Sequence, residues 1–372
     1  MTDWSWFRAQ FPALERMTWV NAAACSPLPL PVHAAARRHL DELLESADRQ
    51  LEAWLAGVAR ARAALARAIG GAPEEVGFTP STSHSMNVVA SILRDAGVRE
   101  VVTLATEFPS TTLPLLHHGL QLRFVEPVGG RYDLERIEAA VRPGVGAIVA
   151  SHVQFGLGCA VDLEALGRIA RDRRVLLAIN ATQSLGQRPA DVGAAGAHFL
   201  AATGHKWMCA GFGAGMLWVR RELLDAHRLP FAGWLSTVDP GAMDNRALAL
   251  RREASAVEVG TPAFEAPLRL GAALELLGQV GFAAIHERIV ALTDLLRAGM
   301  RRLRIEPLTP DDPAIRTGIT SFAAPDATAQ VAALAARGIF ASARQGAVRL
   351  SLHAYNDEAD VERTLQGLEQ VR

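Results

Sequence analysis

Lys206 is the only lysine in a chain of 372 residues that otherwise writes its cations as arginine. A guanidinium supplies charge, hydrogen bonds and stem packing but forms no imine with an aldehyde, whereas a lysine amine does. The lone lysine is therefore a candidate nucleophile. It is followed by glycines at 211, 213 and 215, which allow a turn to approach closely and hold the amine on a fixed backbone. Thr82-Ser83-His84-Ser85-Met86-Asn87 falls between a strand pattern and a helical pattern. There Ser83 and His84 can offer backbone N–H groups and a hydroxyl to a phosphate dianion at the positive end of a helix. Arg349, in Ala-Val-Arg-Leu-Ser-Leu-His, is of the type that clamps a carboxylate bidentately.

These residues need a scaffold. Short apolar runs at 75–78, 99–105, 122–128, 146–153 and 175–180 alternate with helical patterns, and HFLAAT and GAGMLWV supply two more strands with Lys206 between them. Such alternation predicts an α/β fold with a mostly parallel sheet flanked by helices, whose ligands bind beyond the carboxyl ends of the strands. The C-terminal third changes character. One long helical pattern from Phe264 to Leu303 leads into strand candidates GITSFAA and AVRLSLH, which reads as a smaller α+β unit. The expected division is 16–262 for the large unit and 263–372, with 1–15, for the small one.

The chain is half hydrophobic with a formal net charge of −1 and no basic stripe, which speaks against a nucleic acid or an anionic membrane as partner and for a small molecule. Cys25, Cys159 and Cys209 are odd in number and far apart, fitting neither a disulfide framework nor a metal centre; a soluble, cytoplasmic protein is expected. Cys209, three residues past the lysine, reads as a buried inert thiol.

The segment from Thr203 to Val219, together with separated motifs from Asn21 to Arg349 in matching order, resembles the class V aminotransferase group of fold-type I pyridoxal-phosphate enzymes, which includes cysteine desulfurases and isopenicillin-N-epimerase-like proteins. The resemblance implies a large pyridoxal-phosphate domain and a smaller C-terminal one. It implies that Lys206 forms the imine with pyridoxal 5'-phosphate and acts as base, that Thr203 and His205 contact the phosphate or flank the ring, and that Ser83 and His84 hold the phosphate. It makes Phe108 the ring-stacking side chain and Gln183 the partner of the ring hydroxyl. Arg349 takes the substrate carboxylate, with Arg344, His353 and Phe155 nearby. Thr261, in Val-Glu-Val-Gly-Thr-Pro, would reach the neighbouring subunit's cofactor in a homodimer with shared sites.

One position departs from the family pattern. Asn180 stands where an aspartate usually keeps the pyridine nitrogen protonated, so the electron sink is expected to be weaker. Ordinary transamination is then disfavoured, and elimination at the β-carbon of an amino acid, as in carbon–sulfur lyases, or epimerisation is expected. Between Arg344 and Arg349 only Gln-Gly-Ala-Val intervenes, with no cysteine, so the chain is expected not to be a cysteine desulfurase. A class V aminotransferase and a non-catalytic binding protein on the same fold are the alternatives.

Overall fold

The computed structural model describes residues 2–371; positions 1 and 372, the ends of the expected division, lie outside them. In chain order the helices are α1 (Trp4–Ala9), α2 (Leu30–Ser46), α3 (Leu51–Ile69), α4 (Thr82–Asp95), α5 (Pro109–His117), α6 (Leu134–Ala140), α7 (Leu163–Arg173), α8 (Arg221–Ala226), α9 (Glu265–Val280), α10 (Phe282–Arg302), α11 (Ala327–Ala335) and α12 (Glu358–Gln370). The strands are β1 (Thr18–Trp19), β2 (Val76–Thr79), β3 (Glu100–Leu104), β4 (Gln121–Val125), β5 (Val145–Ser151), β6 (Leu176–Asn180), β7 (Phe199–Thr203), β8 (Gly215–Val219), β9 (Ile319–Ala323), β10 (Ile339–Phe340), β11 (Ser342–Arg344) and β12 (Ala347–Ser351).

Seven strands form the central sheet in the order β2-β8-β7-β6-β5-β3-β4. Only β8 runs against the rest, because it pairs antiparallel with both β2 and β7. Strand residues point alternately to opposite faces, and the two faces bury separate cores. Val102, Leu104, Ile148, Leu177, Ile179 and Leu200 pack on one side with residues of α3, α7 and α9. Val101, Val149, Ala178, Phe199 and Leu217 pack on the other against Met86, Val89 and Leu93 of α4 and Leu115 of α5. Buried on both faces, these strands read as continuous apolar runs, which is why their positions were legible.

The smaller unit differs from expectation in two places. The long helical pattern breaks at Gly281, whose φ of 91° is left-handed, and α9 and α10 meet at 76°. Thr18–Trp19 pairs in parallel with Ile339–Phe340, and Asn21 bridges to Ser351, so the N-terminal share of this unit reaches beyond residue 15. Its three-stranded sheet, β11-β12-β9, backs onto a core of Leu292, Leu296, Met300, Val348 and Leu350. No single helix among the described residues is long and apolar enough to cross a membrane.

Candidate active site

The carboxyl ends of β2, β3, β5, β6 and β7 open on one cavity of about 340 Å³. The register brings them level: Ser151 pairs with Asn180, Asn180 with Ala201, and Gly215 with both Thr79 and Thr203. Gly215 is required there, since a Cβ would lie 2.4 Å from the Ser81 nitrogen. The strand after Lys206 is thereby pressed against the start of α4, locking the lysine segment to the helix that opens toward the cavity.

Lys206 lines the cavity on the connection from β7 to β8, its Nζ 5.7 Å from the Phe108 ring centre. Burial, followed by the charges of Arg349 and Arg344, lowers its amine to about 7 against a weaker opposing effect of Cys25. A useful fraction is thus the neutral, nucleophilic amine near pH 7. Thr203 and His205 flank it, joined by a 3.0 Å bond between Oγ1 and Nδ1. His205 stacks on Phe212, and burial together with the neighbouring Lys206 holds its imidazole near 4, hence uncharged.

The α4 helix starts with Ser81 as its cap, the side chain accepting from the His84 N–H, and Ser81, Thr82 and Ser83 face the cavity. Backbone N–H groups of a first helical turn have no partner within the helix, so this end suits an anion. The structure does not bring the His84 side chain to the cavity: it packs 5.1 Å from Phe231, and its backbone N–H is already capped. Phe108 and Phe155 line the opposite wall edge to face, with centres 5.2 Å apart.

Asn180 and Gln183 form the floor, 3% and 4% exposed. Gln183 is fixed by Trp207, whose indole N–H donates to Oε1 at 2.8 Å, so that Nε2 donates to the Ala23 carbonyl at 2.9 Å. Arg349 on β12 is 1% exposed, and its one hydrogen bond runs from Nη1 to the Phe155 carbonyl at 2.7 Å. Its Nε is unpartnered, and burial, then Arg344, lowers the guanidinium to about 9. A buried cation without a carboxylate is costly unless an anionic ligand completes it. Arg344 also lines the cavity, at the end of β11, while no Asp or Glu does among the described residues. A phosphate-bearing aldehyde fits this donor set: one amine, a helix start, neutral amides and aromatic walls, with a guanidinium left for a carboxylate.

Two further candidate residues lie outside this cavity, Thr261 being one expected to serve a neighbouring subunit's site. His353 is fully buried behind the Lys206 segment, where Nε2 meets the Trp207 carbonyl at 2.9 Å and the ring stacks 4.5 Å from Tyr355. Its place near Arg349 in sequence misled because β12 has ended before it, so the chain turns away from the cavity. Thr261 sits in a separate, largely apolar cleft with Leu43, Leu51, Leu55, Trp234 and Phe264. Conversely, Ser81, Ser110, Ser151, Thr182, Ala23 and Ala24 border the cavity without having been singled out. Small polar and alanine side chains carry no chemical signature; only proximity in the fold selects them. Ala23 and Ala24 come from a loop held by the Ser26 N–H donating to the His205 carbonyl at 2.9 Å.

Comparison with known proteins gives this geometry its context. The chain is 28% identical over 358 residues to the uncharacterized aminotransferase YcbU of Bacillus subtilis, covering 95% of this chain and 94% of that protein. It is 27% identical over 390 residues to a probable cysteine desulfurase of Methanothermobacter thermautotrophicus, covering 98% and 97%. The apo structure of a cysteine desulfurase from Thermococcus onnurineus matches with a TM-score of 0.91 at 26% identity, over 98% of this chain and 97% of that one. These matches overturn the expectation that the chain is not a cysteine desulfurase. That exclusion rested on the short, cysteine-free hairpin between Arg344 and Arg349 and on Phe155, and a surface connection varies in length and residues while the sheet and cavity behind it are kept. The family description "Aminotransferase class-V" matches residues 18–364, spanning every segment that borders the cavity, and the chain belongs to that family as a pyridoxal 5'-phosphate-dependent enzyme.

Proposed function

We propose that the enzyme releases sulfur from cysteine, passing it to an acceptor thiol and leaving alanine, as the names of several relatives suggest for those proteins. The observation that carries this reading is the pairing of a buried Arg349 with Lys206, its amine lowered to about 7, in one cavity that no Asp or Glu lines among the described residues. Arg349 takes the α-carboxylate and so orients the α-carbon toward Lys206. The first turn of α4, with Ser81, Thr82 and Ser83, holds the phosphate, and Thr203 and His205 border it. Phe108 would cover the ring, Gln183 would meet its hydroxyl and Asn180 its nitrogen. When bound, the cofactor would supply an electron sink for the bond broken at the α-carbon. Lys206 would hold the cofactor through its amine and would move the α-proton. Phe108 and Phe155 keep water from this wall. The hairpin after Arg344 contributes only Gln345 and Gly346 before β12, so the acceptor thiol comes from elsewhere, for instance from a small-molecule thiol.

We also propose a homodimer. Leu43, Leu51, Leu55 and Trp234 expose an apolar cleft around Thr261, and a second copy seated there would carry Thr261 toward the partner's cavity. Three free cysteines suit a reducing, cytoplasmic setting.

The test is direct. Borohydride-reduced enzyme is digested and the label mapped, with Lys206 the expected site. Unreduced enzyme is incubated with cysteine and a thiol, and alanine and persulfide sulfur are measured in equal amounts. Pyruvate in place of alanine, or conversion of the cofactor to its amine form without sulfur release, would refute the sulfur-transfer reading.

A further inference from the structure

Arg349 has a direct cross-strand neighbour, Ser321 of β9, in the antiparallel register of the small sheet. The Ser321 N–H donates to Thr309 Oγ1 at 2.9 Å, and its carbonyl accepts from the Leu308 N–H at 2.7 Å. That segment bridges to β9 at Phe322, on the edge away from β12. With its backbone groups turned outward, Ser321 forms a non-hydrogen-bonded pair with Arg349, the kind whose facing side chains lie closest together.

Both side chains hold consecutive carbonyls of the loop that follows β5. Arg349 Nη1 donates to the Phe155 carbonyl at 2.7 Å, and the Ser321 hydroxyl donates to the Gly156 carbonyl at 2.6 Å. Just before β9, the Thr317 hydroxyl donates to the Gly158 carbonyl at 2.5 Å. The loop is seated closely on β9, since a Cβ at Gly158 would lie 2.4 Å from the Ile319 Cβ. Arg349 is buried, and the Phe155 carbonyl is its one hydrogen-bond partner among the described residues. The guanidinium is therefore aimed only as well as that carbonyl is held. A loop carbonyl turns freely unless its neighbours are fixed, and Ser321 fixes the next one along.

We propose that Ser321 is a positioning residue for the substrate carboxylate: by holding the Gly156 carbonyl it fixes the Phe155 carbonyl, which aims Arg349 into the cavity. Thr317 secures the far end of the same loop. The carboxylate is thus received where the small sheet and the loop from the central sheet meet. The proposal rests on the assignment of Arg349 to the substrate carboxylate.

The experiment measures competition against cysteine on the holoenzyme by propionate, which carries a carboxylate but no amine to exchange at Lys206, together with KM and kcat for cysteine and cysteamine. Ser321→Ala is expected to raise both the inhibition constant of propionate and KM for cysteine roughly three- to tenfold, the effect of one buried hydrogen bond, with kcat within about twofold and cysteamine unmoved. Thr317→Val is expected to act in the same direction, and serves if the first variant does not fold. In the Arg349→Met background Ser321→Ala is expected to add nothing, because no guanidinium is left to aim, whereas a merely structural serine costs the same in both backgrounds. An unchanged propionate constant in both single variants, or an equal loss for cysteine and cysteamine, overturns the proposal and leaves Arg349 in its role. If Arg349→Met itself leaves propionate binding unmoved, the assignment of Arg349 falls and the proposal falls with it.

Discussion

Arg349→Met offers the sharpest separation of binding from chemistry. The side chain is 1% exposed, and one N–H of the guanidinium reaches the Phe155 carbonyl at 2.7 Å while Nε has no partner. Methionine fills a similar volume without charge. Truncating one partner of a buried charge pair costs about 2–5 kcal/mol, so kcat/KM for cysteine should fall roughly 30- to 5,000-fold. The cost should vanish for cysteamine, which lacks the carboxylate, so the comparison of the two substrates isolates the guanidinium–carboxylate contact from any distortion of the fold. Removing Arg349 also removes the larger of the two cationic influences on Lys206, so in the apo protein the titration of the amine should move upward from about 7. Steady-state kinetics with both substrates, and the pH dependence of acylation of Lys206 in apo protein, are sufficient. If cysteine loses less than about tenfold, or if cysteamine loses as much as cysteine, the assignment of Arg349 to the substrate carboxylate is wrong.

Two further predictions follow from burial. The folded apo protein holds Lys206 at about 7, below the 10.5 of a free lysine, so between these values the unfolded chain binds more protons and stability should rise with pH; below about 7 both states are charged and the full penalty applies. Denaturant midpoints of apo protein across that window should rise for wild type and stay flatter for Lys206→Met; equal slopes would show that the amine is not desolvated in the folded state. Leu55→Arg, on the exposed apolar cleft around Thr261, should turn a dimer into a monomer in sedimentation experiments and weaken cofactor retention, because the partner's Thr261 is withdrawn; an unchanged dimer would place the interface elsewhere.

How much was readable in advance depended on whether the signal was local. Most strands of the central sheet announced themselves because burial on both faces demands apolar runs; the edge strand β4 is largely exposed, yet β2 through β8 all fall within a few residues of the runs read from the sequence. The break at Gly281 escaped, since apolar periodicity continues across it and one left-handed residue suffices to turn the chain through 76°. β1 and β10 escaped as well: strands of two residues carry no period, and they exist because each completes the other across the length of the chain.

The site divides in the same way. Lys206 stood out as the one lysine, Arg349 and Gln183 by their places in segments that resemble the family's, and the fold brings all three to one cavity. What only the tertiary structure decided was the electrostatic setting: the burial that brings the lysine to about 7, a cavity that no carboxylate lines among the described residues, and the departure of His84 and His353 to other neighbours. Desolvation and hydrogen bonding depend on what surrounds a group in space, and a chain must fold before those surroundings exist.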